Sequence, residues 1–440
     1  MKNNLFNSIQ LTKPKSNYFD LSHDVKFTAK MGNLVPVLAM DVVPGDNIDL
    51  GCESLLRFAP LTAPVMHRFD VTVHYFFVPN RILWDNWEKF ITSDTTIVKP
   101  YINYTQDFDP DFKKFLDYLG VPPNNTAVAA QIDALPCAAY QCIYNEYYRD
   151  QNLISPIEYK LVDGDNTASR FVRIRNRAWE HDYFTSALPF AQKGAPVDIP
   201  LGSISGDAAV YRNQTPDTLI TAVAGGDLDI QGDPTVSPGI NPDALYAKLE
   251  DLDVDPTTIN DLRRAYALQR FLEKAARGGT RYIESILANF GVKSPDARLQ
   301  RPEYITGVKS PVVISEVLNN TGEDGGLPQG NMAGHGVSIN SGRNGSYYAT
   351  EHGWIIGIMS VLPRTNYQQG IPRSFLRTDR LDYFWPDFAH IGEQEVKVQE
   401  LHAYTANANN TFGYVPRYAE YKFMNGRTAD NNSITPFTIS

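Results

Sequence analysis

Residues 55–94 read LLRFAPLTAPVMHRFDVTVHYFFVPNRILWDNWEKFITSD. Prolines at 60 and 64 make a turn, and clean alternation follows. Phe69, Val71, Val73, Tyr75 and Phe77 point one way; Arg68, Asp70, Thr72 and His74 point the other. A period of two is the pattern of a β-strand with one buried face. The opposite face turns apolar at Phe76 and Val78, so the strand ends buried on both sides. Pro79 stops it, because proline donates no ladder hydrogen bond. Leu83, Trp87, Phe90 and Ile91 then recur at helical spacing and predict a short aromatic helix.

The same patterning predicts strands at 33–43, closed by the turn Pro44-Gly45-Asp46, and at 48–58, 170–178, 311–317, 353–362 and 395–401. Residues 353–362 are apolar on both faces, which marks a central strand. In 395–401, Val396 and Val398 oppose Glu395, Lys397 and Gln399, so one face is wet. Helices are expected at 111–119, 134–149, 259–276 and 281–289. The third can be capped by Thr257 or Thr258 and is ended by Gly278-Gly279. Residues 202–256 are rich in Gly, Asp, Thr and Pro without long periodicity and read as a surface excursion; 322–345 is a second Gly/Asn-rich loop. The expected organisation is a basic N-terminal arm (1–30), a core with inserted loops and helices (31–201 and 301–440), a surface insertion (202–256) and a helical insertion (257–300). Strands interrupted by long, partly helical insertions fit an all-β jelly roll better than a doubly wound α/β fold.

The chain has 440 residues, enough for a large core, and its 24 Tyr and 22 Phe suit both sheets and extensive interfaces. A formal net charge of −10 argues against a surface wholly devoted to nucleic acid, while leaving room for local basic patches. Three cysteines, Cys52, Cys137 and Cys142, make no disulfide framework and no zinc spacing; they read as small buried thiols in a reducing cytoplasm. The first residues do not resemble a signal peptide. The strongest apolar run, 354–362, is too short to span a bilayer.

No enzymatic motif stands out. EDLDVD at 250–255 mimics the start of a calcium loop, but Pro256 and Leu262 occupy positions that need glycine and glutamate. His181-Asp182 lacks a third ligand, and His67 and His74 point to opposite sides of a strand. Arg173, Arg175 and Arg177 are more informative: on a strand they share one face, about 6.6 Å apart. Two readings stay open for them. They can track a phosphate backbone, or they can pair with carboxylates inside or between subunits, which weighs slightly more. Lys13, Lys15 and Lys26 in the arm are the other DNA candidates, balanced evenly against simple solvation. Arg373, Arg377 and Arg380 form a less specific cluster. Trp84, Trp87 and Tyr101 can stack on exposed bases, but aromatic stripes at helical spacing favour packing.

The 55–94 stretch closely resembles the major capsid proteins of the microviruses, small icosahedral phages with single-stranded DNA, in particular their gokushovirus-like branch. YNEYYRDQNL at 144–153, HDYFTSALPFAQKGAPV at 181–197, the helical block TTINDLRRAYALQRFLEKAARGGTRYIESILANFG at 257–291 and the shorter RYAEYK at 417–422 carry the same resemblance. The family often continues past RYAEYK into another aromatic segment, whereas residues 425–440 are polar here, so the C-terminal contacts fall outside the resemblance. The resemblance implies a viral single jelly roll, an eight-stranded antiparallel β-barrel, with 202–256 growing outward from it. It implies sixty copies in a T=1 shell around circular single-stranded DNA, assembled in a bacterial cytoplasm, with no catalysis, cofactor, metal or membrane. An internal scaffolding protein, a small basic DNA-packaging protein and a minor spike or pilot protein are the implied partners. Trp84, Trp87, Phe90, His181, Tyr183 and Phe184 are expected in the core or at subunit interfaces. The rival reading is a jelly-roll carbohydrate-binding module or glycan-active enzyme.

Overall fold

The computed structural model describes residues 16–57, 68–92, 96–168, 170–195, 197, 258–278, 282–291, 300–318, 332–340, 343–389 and 391–428. Six short strands within 204–254, and residues 282–283, 313–318, 332–340 and 343–344, are described by backbone alone. The chain forms two compact units, Met1–Trp179 with Arg298–Thr365, and Glu180–Ala297 with Asn366–Ser440.

The first unit is built on a seven-stranded sheet. Its order is Ser54–Arg57, Met332–Asn340, Glu303–Leu318, Phe69–Pro79, Gly353–Pro363, Asn33–Val42 and Arg175–Asn176. Every pairing is antiparallel. Phe69–Pro79 lies at the centre, with Val73 opposite Met359 on one side and Val308 on the other. Val71, Val73, Tyr75 and Phe77 pack with Val42, Leu50, Ile355 and Met359 in one core. The two-stranded sheet Asn47–Gly51/Arg343–Tyr348 contributes Leu50 and Tyr347 to that core.

The other face of Phe69–Pro79 departs from the one-sided strand expected from its alternation. Asp70 and Thr72 are only 4% and 3% exposed. Helices fold back over this face and cover it. Phe76, Val78, Ile356 and Ile358 pack there with Leu135–Ile143, nearly all of it buried, and with Phe115 and Leu116 of Pro110–Tyr118. Asp109 caps the latter helix by accepting from the Asp111 amide at 2.9 Å. The expected helix at 134–149 is α-helical to Ile143 and then widens into a π-helical turn, Tyr144–Tyr148.

Other expectations are corrected by longer-range pairing. The strand expected at 48–58 breaks at Cys52-Glu53 into Asn47–Gly51 and Ser54–Arg57. The aromatic helix is two short helices, Asn80–Leu83 and Trp87–Ile91, with Ile91 left exposed. The Gly/Asn-rich loop 322–345 gives way to strands Met332–Asn340 and Arg343–Tyr348. The strand expected at 311–317 does form, as the end of a longer 16-residue strand, Glu303–Leu318. Of 170–178, only Arg175–Asn176 pairs, with Leu34 and Asn33.

In the second unit, Glu393–Lys397 pairs with Thr411–Pro416, and Tyr183, Phe184, Val396 and Val415 form its core. The strand expected over 395–401 turns into the helix Val398–Leu401. Helix Ile259–Arg277 carries a capping box between Thr258 and Asp261. Leu228–Ile230, Thr218–Ala222, Val210–Arg212 and Leu245–Ala247 form a four-stranded sheet where composition suggested only an irregular excursion. Ile204–Ser205 pairs with Asp253–Val254, and the rest of 202–256, including most of the acidic stretch 250–255, lies outside the described residues.

Candidate nucleic-acid interface

The π-helical turn places tyrosines beside the covered face of the first unit's sheet, and arginines from two other segments, 173–177 and 301, lie over aromatic rings there. The Arg175 guanidinium is 5.6 Å from the Tyr144 ring centre, Arg177 is 6.0 Å from Tyr148, and Arg301 is 4.7 Å from Tyr147. Arg173 lies 5.7 Å from Phe112. Cation–π attraction holds each guanidinium while leaving part of its edge to solvent. Among the described residues, Arg173, Arg175 and Arg177 meet rings and neutral groups and form no ion pair.

Gln141 explains why 170–174 does not form the expected strand. This fully buried side chain donates to the carbonyls of Arg173 at 2.8 Å and Phe171 at 3.3 Å, and accepts from Arg175 Nε at 2.8 Å. Tyr140 donates to the Leu34 carbonyl and accepts from the Arg175 amide. A side-chain framework thus replaces the ladder, and Arg173 stands exposed while Arg175 is half-buried. Arg177 reaches across the sheet. Its Nη1 donates to Thr72 Oγ1 and, at 2.9 Å, to Ser360 Oγ, and the two hydroxyls lie 2.8 Å apart.

Next along the same face, Asp70 gathers three cations: Arg364 at 3.0 Å, Lys309 at 3.2 Å and Arg68 at 3.3 Å. Burial pushes the Asp70 carboxyl up, but hydrogen bonds and charge from Arg364 and Lys309 outweigh it and hold the pKa below the ordinary carboxylate value. Both arginines reach Asp70 through Nε. Three half-exposed cations thus meet at one buried carboxylate close to Arg177. His74 adds none at neutral pH. Burial, with the charges of Arg177 and Lys309, lowers its pKa to about 4, and its Nδ1 lies 2.8 Å from the Tyr148 hydroxyl.

The remaining sequence-selected residues fall elsewhere. Lys13 and Lys15 lie outside the described residues. Lys26 is exposed in the stretch 16–30, which has no strand or helix; the next residues are anchored by the Phe27–Tyr118 ring contact and by Tyr118 donating to the Thr28 carbonyl. Trp84 is buried and donates to Asp163 at 2.7 Å, with Trp87 and Phe90 packed around it. Those rings are packing, not open platforms. In the second unit His181 is exposed, whereas Asp182 accepts from the Phe184 and Thr185 amides and the Tyr367 hydroxyl. Tyr183 donates to buried Glu400 at 2.9 Å, which also pairs with Arg373 at 3.1 Å. Arg373 and Arg377 thus face carboxylates, Arg377 meeting Glu420 at 3.7 Å. No cluster of three metal-ligating side chains occurs among the described residues, and no described helix is long and apolar enough to cross a membrane.

Residues 8–433 match the family model described as capsid protein (F protein). The chain belongs to the microvirus capsid protein family. It is 35% identical to capsid protein VP1 of Bdellovibrio phage phiMH2K, over 94% of this chain and 81% of that protein. Identity to capsid protein VP1 of Chlamydia phage 1 is 34%, over 96% and 85%. For capsid protein VP1 of Spiroplasma virus 4 it is 31%, over 89% and 78%. Membership makes the chain a structural component of a virion rather than an enzyme, and the rival glycan-binding reading gains nothing from these relatives. Sequence reasoning missed Arg68, Arg301, Lys309 and Arg364. Only Arg68, just before the alternating strand, carries a local signal; the others meet the site across more than 150 residues of chain.

Proposed function

We propose that sixty copies of this chain close a T=1 icosahedral shell around circular single-stranded DNA, and that the arginine–aromatic band of the first unit faces the nucleic acid. The observation that carries the second part is a band of guanidinium groups that, among the described residues, lie over rings and have no carboxylate partner, on a chain of net charge −10. Arg173, Arg175 and Arg177 offer phosphate contacts without base readout, and Lys26 with arm residues Lys13 and Lys15 extends the charge. Such contacts weaken with salt. Because the chain is acidic overall, a small basic packaging protein offsets its repulsion of the genome. A scaffolding protein and a minor spike or pilot protein complete the expected set, with assembly in the host cytoplasm. Two antiparallel sheets around one core support the reading of a viral jelly roll with an eight-stranded barrel, decorated by an outward insertion at 202–256 and a helical insertion at 257–300.

The test compares particles carrying Arg173→Gln with unaltered particles. The expected result is intact shells that retain less nuclease-protected DNA, with retention falling less steeply with salt than in unaltered particles. Full retention at every salt concentration would refute the DNA-facing assignment; a chain that never forms particles would refute the shell.

A further inference from the structure

We propose that residues 373–389 and 417–424 form one aromatic surface that docks against a second copy of this chain, an inference that rests on the shell-forming reading above and names a surface that closes the shell. Both segments belong to the second unit. The first is ordered by three short 3₁₀ turns, Arg373–Phe375, Arg380–Asp382 and Pro386–Phe388. The Phe384 amide donates to the Tyr421 hydroxyl at 3.3 Å. The Arg377 guanidinium lies 5.2 Å from the Tyr383 ring and 4.6 Å from the Tyr421 ring. The two segments are therefore joined.

Large side chains on this surface remain open. Met424 is 94% exposed and Phe375 76%, and Tyr383, Phe384, Trp385 and Tyr421 are each about half exposed. At about 200 Å² per large side chain, these six expose roughly 700 Å². Summed over both segments, that approaches the ~800 Å² per partner of a standard protein interface. Aromatic residues, Met and Arg are also the types enriched at interface centres.

A second observation lies beneath the surface. Arg377 Nε, Arg417 Nε, Tyr418 Oη and Glu420 Oε1 are buried without a hydrogen-bond partner. Buried polar atoms in a completed structure are nearly always satisfied. Glu420 Oε1 stands 3.8 Å from Arg373 Nε and 3.7 Å from an Arg377 nitrogen, a few tenths of an ångström beyond hydrogen-bonding distance. Tyr418 holds the turn at φ 62°, a conformation costly for a tyrosine. A partner pressing on the rings would close these gaps, so docking would supply both apolar burial and hydrogen bonds the isolated chain lacks. A family whose members build containers from copies of one chain makes that partner another copy, in a contact that repeats around a ring.

The test uses the full chain and purified particles. Phe375→Glu with Met424→Glu places two charges on the most exposed positions, where folding should be unaffected. Sedimentation and electron microscopy are expected to show unaltered chains in oligomers or shells and the variant as a monomer with unchanged thermal unfolding, a loss of at least a hundredfold in association. Assembly of the variant like the parent overturns the proposal. Loss of a different virion protein from otherwise complete shells overturns the choice of partner. Failure of the unaltered chain to self-associate sinks the shell reading itself. Independently of any folding defect, Met424→Cys should react with a bulky maleimide at least tenfold more slowly in particles than in free chains; equal rates would overturn the surface.

Discussion

Changing Arg177 to glutamine separates the structural work of the arginine band from its proposed contact with DNA. Arg177 donates to the Thr72 and Ser360 hydroxyls, both on buried residues of central strands, and lies over Tyr148. Hydrogen bonds from a charged donor contribute about 1.5–3 kcal/mol, and a partly exposed cation–π contact about 0.5–1 kcal/mol. Thr72 and Ser360 still satisfy each other at 2.8 Å after the change, and glutamine restores some donation. The net loss should be about 2 kcal/mol. Urea unfolding followed by hydrogen exchange in the Phe69–Pro79 strand measures it. A second reading is independent of stability: Arg177 is one cause of the depressed His74 pKa, so removing its charge should move the His74 titration, seen by NMR, upward from about 4. Arg173→Gln, which loses only an exposed stack on Phe112, should cost under about 1 kcal/mol and leave His74 unmoved. Equal stability and an unmoved His74 in Arg177→Gln would refute the described contacts of Arg177 with Thr72, Ser360 and Tyr148.

Stability should fall with acid. His74 has a lowered folded pKa, so the unfolded chain binds its proton first, and the loss should begin near pH 6.5 and reach about 2–3 kcal/mol by pH 4; His74→Gln should flatten that slope in denaturation curves taken across the range. Asp70, whose folded pKa is also depressed, should contribute stability above its unfolded value near 4 and lose it as pH falls through the folded pKa, so Asp70→Asn should remove the steepest acid limb. Gly353→Ala would set a Cβ 2.5 Å from the Val78 carbonyl oxygen and 2.7 Å from the Phe77 ring; about 1–3 kcal/mol of destabilisation is expected, and a neutral effect on the unfolding midpoint would contradict the described strand pairing. The Cys137 thiol, pushed up to about 12 chiefly by burial, should resist alkylation in the folded chain while Cys52, only partly buried, reacts faster.

The central strands were legible because their patterns are local. Phe69–Pro79 alternates, and Gly353–Pro363 is apolar on both faces, as a strand between two neighbours must be. Helix Pro110–Tyr118 announced itself by its apolar face. The errors share one cause. Residues 170–178 alternate, but buried Gln141 takes their carbonyls and prevents a ladder. Met332–Asn340 is glycine-rich and still pairs, because Glu303–Leu318 supplies the register. The cover over the polar face of Phe69–Pro79 is invisible locally because its groups come from far away: Arg177 lies 105 residues from Thr72, and Arg364 lies 294 from Asp70. The arginine triplet was visible in the sequence, whereas the rings beneath it were not.

A cryo-electron-microscopy map of purified particles, at a resolution that traces side chains, tests the account most directly. It should contain sixty copies of this chain, with Arg173, Arg175 and Arg177 on the inner wall beside nucleic-acid density. A shell built from another polypeptide, or one in which these arginines line the outer surface, would contradict it.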